Sequence, residues 1–160
     1  SRLPDRTGFI AKKEMERYPL LRDWMRNVHC LFLDRENIRE GLKTILTAID
    51  EVKSGVSIFI YPEGTRGKTG TELDMLPFHE GSFKVATKTG CPIVPVVITG
   101  SSALFEDHMP RVKPAEVILE YGKPIYTEEL SKEELKKIGA YTQSVMLEML
   151  KHHRELRQNS

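Results

Sequence analysis

The stretch Val56-Ser57-Ile58-Phe59-Ile60-Tyr61-Pro62-Glu63-Gly64-Thr65-Arg66 decides the fold. Val56 to Ile60 is a continuous apolar, β-rich run, the pattern of a strand covered on both faces in a parallel sheet. It stops at Tyr61-Pro62, and a polar loop runs on to about Pro77. Immediately upstream lies the clearest helix. Asn37 caps it, Glu40 completes a capping-box-like pair, and Ile38, Leu42, Ile45, Leu46, Ile49 and Val52 form one stripe. Gly55, just after Lys53, ends it. Further out, Cys30 to Leu33 reads as a strand closing on Asp34-Arg35. Before it, Pro19 opens a helix whose face carries Leu20, Leu21, Trp24, Met25 and Val28. Gly8 to Ala11 is the first strand.

The same reading extends downstream. A short helix around Ser82 to Lys88 closes at Gly90, Ile93 to Ile98 is a further buried strand, and Glu116 to Tyr121 another. Ser131 and Glu134 make a capping box that opens a long C-terminal helix with Leu135, Ile138, Val145 and Met149 turned inward. Strands alternating with helices predict an α/β fold, a single domain with a largely parallel central sheet flanked by helices. No repeat or linker divides residues 1–160.

Composition narrows the function classes. Twenty-four Lys and Arg against twenty-three Asp and Glu leave a formal charge of +1, so bulk charge makes no case for nucleic acid. No apolar run approaches the ~20 residues of a membrane span. Cys30 and Cys91 sit among apolar neighbours and read as buried thiols of a reducing compartment. No Cys/His cluster has metal spacing, and neither metal nor cofactor is expected. His108, beside Glu106 and Asp107, reads as loop, and His152 and His153 as exposed helix residues.

In parallel sheets ligands bind beyond the carboxyl ends of the strands. Asp34-Arg35 and Tyr61 to Arg66 both leave strands there, and Lys12 and Lys13 follow the first strand. Arg66 can hold a phosphate in bidentate fashion, and Gly64 lets backbone approach it. Glu63 can accept from hydroxyls or orient the arginine, Thr65 adds a hydroxyl, and Arg35 and Lys12 add positive charge. The set suits an anionic, hydroxyl-bearing ligand; a solvated turn with ordinary salt bridges is the alternative. Gly67-Lys68-Thr69 is no P-loop, because Pro62 stands where that motif needs its first glycine.

The chain resembles the glycerolipid acyltransferase family, whose members make phosphatidic acid from lysophosphatidic acid. Phe32-Leu33-Asp34-Arg35 is similar to that family's second block. Tyr61-Pro62-Glu63-Gly64-Thr65-Arg66 is similar to the third, with Tyr where Phe is usual, and Cys91-Pro92-Ile93-Val94-Pro95-Val96 to the fourth. Phe9 to Glu14, Leu76-Pro77-Phe78 and Gly81-Ser82-Phe83-Lys84 resemble connecting segments, His79 standing where Lys is frequent.

The resemblance implies a bacterial-type enzyme at the cytoplasmic face of the cell membrane, peripheral or anchored through sequence preceding this chain. It implies acyl transfer from acyl carrier protein or coenzyme A to the sn-2 hydroxyl of lysophosphatidic acid, in phospholipid biosynthesis. Arg66, Glu63, Gly64, Thr65, Arg35 and Lys12 would hold the glycerol phosphate, and Pro95 would shape a pocket. Glycerol 3-phosphate or another lysophospholipid is an alternative acceptor.

The family's first block, H-x4-D, supplies a histidine general base and its orienting aspartate. Residues 1–8 contain no histidine, so this dyad is expected upstream of Ser1, and residues 1–160 are expected to bind the head group with little turnover. His29 and Asp34 share the H-x4-D spacing, but the intervening strand would point them to opposite faces. A non-catalytic module that binds lipid phosphate and natively lacks the dyad is the rival reading.

Overall fold

The computed structural model describes residues 6–34, 36–65 and 73–158, with side chains described as far as residue 155. The chain divides into two compact units, Ser1–Gly64 with His79–Cys91, and Thr65–Phe78 with Pro92–Ser160.

The first unit is the parallel sheet. Its strands are β1 (Thr7–Lys12), β2 (Leu31–Leu33) and β3 (Ser57–Phe59), in the order β2-β1-β3. β1 is parallel to both neighbours, with Ile10 opposite Leu31 and Phe9 opposite Phe59. Helix α1 (Pro19–Asn27) leads into β2 and α2 (Ile38–Lys53) into β3. Gly8 is required at the centre. A Cβ there would overlap the backbone of His29, which turns the chain into β2 with φ of 56°.

The side chain of Asn37 accepts from the N–H groups of Arg39 and Glu40, the expected cap, while the Glu40 carboxylate goes to Lys43 at 2.7 Å. Gly55 ends α2 at φ 89°, and Gly90 ends α3 (Lys84–Thr89) at φ 72°, a region that costs glycine little. The Thr44 hydroxyl donates to the Phe32 carbonyl at 3.0 Å, tying α2 to the edge strand β2. Cys30, Ala48, Val56, Phe83, Val85 and Ala86 form the core, each large apolar side chain contributing about 1.5–3 kcal/mol.

Both helical stripes are corrected. On α2 the protein uses Ala48 and partly Ile45, Ile49 and Val52, while Ile38 is 86% exposed and Leu42 and Leu46 also face outward. On α1 Met25 and Val28 are half-buried, but Leu20 and Trp24 are exposed. A period of 3.6 locates an apolar arc without saying how much of it a neighbour covers.

The second unit contains β4 (Val96–Thr99) and β5 (Ile118–Tyr121), an antiparallel pair with Val97 opposite Glu120. The strand expected from Ile93 begins later, because Pro92 and Pro95 lack ladder donors. Ile93 makes only an isolated bridge to Ile125, and Ile98 is 44% exposed. The capping box forms as expected. Glu134 N–H donates to Ser131 Oγ at 3.2 Å and Ser131 N–H to the Glu134 carboxylate at 2.8 Å. The helix it opens is short, however. α4 (Lys132–Lys136) breaks at Lys137 before α5 (Ile138–Gln158). Ile138, Leu150, Val97, Ile125 and Phe78 are buried in this unit.

Candidate functional site

Three parallel strands deliver their carboxyl ends to one edge of the first unit. Lys12 closes β1 opposite Leu33 of β2, so the chain ends that lead into Asp34 and away from Lys12 are neighbours. β3 runs out through Ile60 and Tyr61 into Pro62-Glu63-Gly64 at the same edge.

Local bonds shape each loop. Asp34 Oδ1 accepts from the N–H groups of Glu36 and Asn37, both at 3.0 Å, forming a turn that hands the chain to the Asn37 cap. Gly41 lets the first turn of α2 press on that loop, since a Cβ there would lie 3.0 Å from the Asp34 carbonyl oxygen. Gly64, buried and at φ 73°, donates its N–H to the Tyr61 carbonyl at 3.0 Å, the left-handed turn that its position in the loop demands. His79 N–H donates to the Pro62 carbonyl at 2.9 Å, pinning the segment where it leaves and where it returns.

The candidate residues are placed as follows. Lys12 is exposed at the end of the central strand and has no carboxylate partner among the described residues. Lys13 is taken by Glu16 at 3.2 Å, and that hydrogen bond and its charge raise the ammonium above its ordinary value. Lys12 is therefore the cation available to a ligand on this strand. Glu63 is half-buried, with Gly64 beside it at the edge. Thr65 is exposed and opens the second unit. Arg35 and Arg66 lie outside the described residues, as do Gly67, Lys68 and Thr69.

His29 and Asp34 are not joined. His29 Nδ1 sits 3.1 Å from a Glu51 carboxylate oxygen at the amino-terminal end of the strands, away from Lys12 and Glu63. Asp34 spends Oδ1 on backbone N–H groups. His79 is exposed at the loop return, and His108 is half-buried in a 3-10 turn; no metal-binding cluster occurs among the described residues. The fourth block packs structurally. Pro95 is buried, its carbonyl accepts from Gly122 at 2.8 Å, and Ile93 exchanges two backbone bonds with Ile125.

Sequence reasoning missed two features. One is an aromatic run on the sheet, in which Phe9 meets Phe59 with centroids 5.6 Å apart and Phe59 meets Tyr61 at 5.5 Å, both pairs tilted. The alternation of Phe59 and Tyr61 along one face was the available signal. The other is His153, expected to be exposed but only 1% so. Its Nε2 is 2.7 Å from a Glu120 carboxylate oxygen and its Nδ1 is 3.4 Å from the Thr99 hydroxyl. Met146, Leu150 and His153 recur at helical spacing, which placed His153 on the inward face of α5.

Comparison with known proteins converges on one family. A 1-acyl-sn-glycerol-3-phosphate acyltransferase of Cocos nucifera is 36% identical over 89% of this chain and 45% of its own length. That of Saccharomyces cerevisiae is 35% identical over 91% and 47%, and that of Escherichia coli 31% over 72% and 46%. The chain thus spans about half the length of these curated relatives. The crystal structure of the 1-acyl-sn-glycerophosphate acyltransferase PlsC of Thermotoga maritima superposes with a TM-score of 0.72 at 27% identity, covering 93% of this chain and 57% of that one. Residues 1–99, which hold the whole parallel sheet and its loops, match the acyltransferase family, and the chain belongs to it.

Proposed function

We propose that residues 1–160 are the domain core of a 1-acyl-sn-glycerol-3-phosphate acyltransferase. The sn-2 hydroxyl of lysophosphatidic acid would attack the carbonyl of an acyl thioester, carried by acyl carrier protein or coenzyme A. The ester C–O bond forms, the C–S bond breaks, the thiol leaves, and a general base takes the hydroxyl proton, giving phosphatidic acid. The observation that supports this reading is the parallel pairing of β1 with β3, which points the strand ending at Lys12 and the strand leading to Glu63-Gly64 the same way, in a chain whose curated relatives bear that enzyme's name.

Each group has a role. Arg66 and Arg35 clamp the phosphate, Lys12 neutralises it from the central strand, and the turn at Gly64 admits backbone close to it. Glu63 orients the arginine or accepts from a glycerol hydroxyl, and Thr65 adds a further donor. Fixing the head group orients the hydroxyl, the largest contribution such a clamp makes. The dyad histidine is assigned, by resemblance to the H-x4-D block, to sequence preceding Ser1. His29 faces the other end of the strands, and the His79 ring has no carboxylate partner among the described residues. Without that base, turnover falls by about 10²–10⁴. The reaction would take place at the cytoplasmic face of the membrane, where the acceptor resides.

Calorimetric titration with sn-glycerol 3-phosphate tests the clamp. Arg66→Ala should weaken binding more than tenfold, and unchanged affinity would remove the assignment. Competition between lysophosphatidic acid and other lysophospholipids then fixes the acceptor.

A further inference from the structure

We infer that α1 is the element by which this protein rests on an anionic lipid surface, with Leu20 and Trp24 entering the acyl-chain boundary and Arg17 at the level of the phosphates. The inference deepens the acyltransferase reading by naming the surface from which its lipid substrate would be drawn.

The apolar arc of α1 is wider than the protein uses. Met25 and Val28 are turned toward the fold, while Leu20 is 89% exposed and Trp24, one turn on, is 61% exposed. Tyr18, just before Pro19, is exposed beside them. Tryptophan and tyrosine with leucine on one side and arginines on the other is the composition of helices that lie in the membrane interface. At nine residues the helix cannot span a bilayer, so lying flat is the geometry open to it.

Charge selects the surface. Arg22 is held by Asp23 at 2.8 Å and Arg26 by Glu16 at 2.9 Å, whereas Arg17 has no acidic partner among the described residues. A second copy of the chain is a poor occupant. Two or three such side chains offer on the order of 300 Å², against the ~800 Å² per partner of a stable interface. The exposed stripe of α2, Ile38 with Leu42 and Leu46, carries no aromatic residue and lacks that interfacial signature.

Position gives the surface a purpose. The segment from Lys12 through the 3-10 turn Lys13–Arg17 joins the end of the central strand directly to α1. A helix seated on lipid there sets Lys12, and the edge it marks, close to the phosphates of the bilayer.

Trp24 is the sole tryptophan, so its emission reports on this helix alone. The protein is titrated with phosphatidylcholine vesicles, with and without phosphatidic acid, some carrying brominated chains, and partitioning is read by sedimentation. The expected result is a blue shift and bromine quenching of Trp24, stronger on the anionic vesicles. Leu20→Glu should lower partitioning roughly tenfold, Arg17→Gln should narrow the preference for phosphatidic acid, and Ile38→Glu should change neither. Unmoved emission, an equal loss in Ile38→Glu, or a lipid-free blue shift that tracks a doubling of mass would each overturn the inference. Calorimetry with lysophosphatidic acid below its micelle concentration separates the two readings. Retained binding with lost partitioning sinks only α1, and lost binding with retained partitioning sinks only the site.

Discussion

Gly8→Ala should unfold this protein sooner by an amount that can be worked from its neighbours. The added Cβ would overlap the carbonyl oxygen of His29 and lie 2.9 Å from its carbonyl carbon and 3.0 Å from its Cβ. Ordinary carbon contacts are about 3.5–4.0 Å, so β1 and the turn into β2 must separate. His29 cannot swing aside. Its φ is 56°, its ring is held by Glu51 at 3.1 Å, and the next N–H, that of Cys30, is bonded to the Met25 carbonyl at 2.9 Å. Overpacking against backbone belongs at the upper end of the ~1–3 kcal/mol range. Removing a glycine's unfolded-state entropy returns ~0.5–1 kcal/mol. The net loss is about 2 kcal/mol, a fall of roughly 4–8 °C in Tm at this chain length. Urea titration and thermal melts of Gly8→Ala and Gly81→Ala form the assay. Gly81 has nothing within 4 Å of the added atom and φ is not positive, so its variant should match the parent within ~0.5 kcal/mol. A Gly8→Ala protein melting at or above the parent would refute the close approach of β1 to the His29 turn.

Three further outcomes follow from the geometry. His29→Asn, which tolerates the left-handed turn, should leave glycerol-phosphate affinity within about twofold in calorimetry, because His29 and Glu51 lie at the other end of the strands from Lys12. His153→Ala should cost about 2–4 kcal/mol in urea titration, since it empties a buried site and strands the Glu120 and Thr99 partners. The Ser131 hydroxyl, then its backbone N–H, hold the Glu134 carboxyl below the ordinary carboxylate range. A carboxyl depressed in the folded state stabilises above its unfolded value and loses that contribution as pH falls through the folded one. The gap between melts of the parent and Ser131→Ala should therefore be wider at pH 7 than well below the carboxylate range, where only the lost cap bond from the Glu134 N–H to Ser131 Oγ separates them.

Much of the first unit was legible because its signals are local. Asn37, Gly55 and Gly90 cap or end helices whatever packs around them, and apolar runs at Gly8 and Val56 need a sheet to cover them. What failed depended on partners. Pattern could not separate the used side of α1 from Leu20 and Trp24, nor show that Val96–Thr99 pairs antiparallel with Ile118–Tyr121, because both follow from contacts made far along the chain. Lys137 breaks the helix that Ser131 opens, and an apolar periodicity running through both pieces concealed it. At the carboxyl edge of the sheet, the chain segments that follow β1, β2 and β3 were readable as loops. The engagement of Lys13 by Glu16, which leaves Lys12 as the available cation, was not, since only coordinates tell two adjacent lysines apart.

The order β2-β1-β3 also bears on how the protein is born. β1 is made before β2 and β3 yet lies between them, and the second of these partners, β3, does not follow until Ser57–Phe59. At ~5–20 residues per second, the apolar run Gly8-Phe9-Ile10-Ala11 waits roughly 2–10 s with two bare ladder edges. Nascent chains of this protein therefore present an adhesive strand before they can bury it, so yield in the cell should respond to translation rate and to chaperones that shield extended apolar segments.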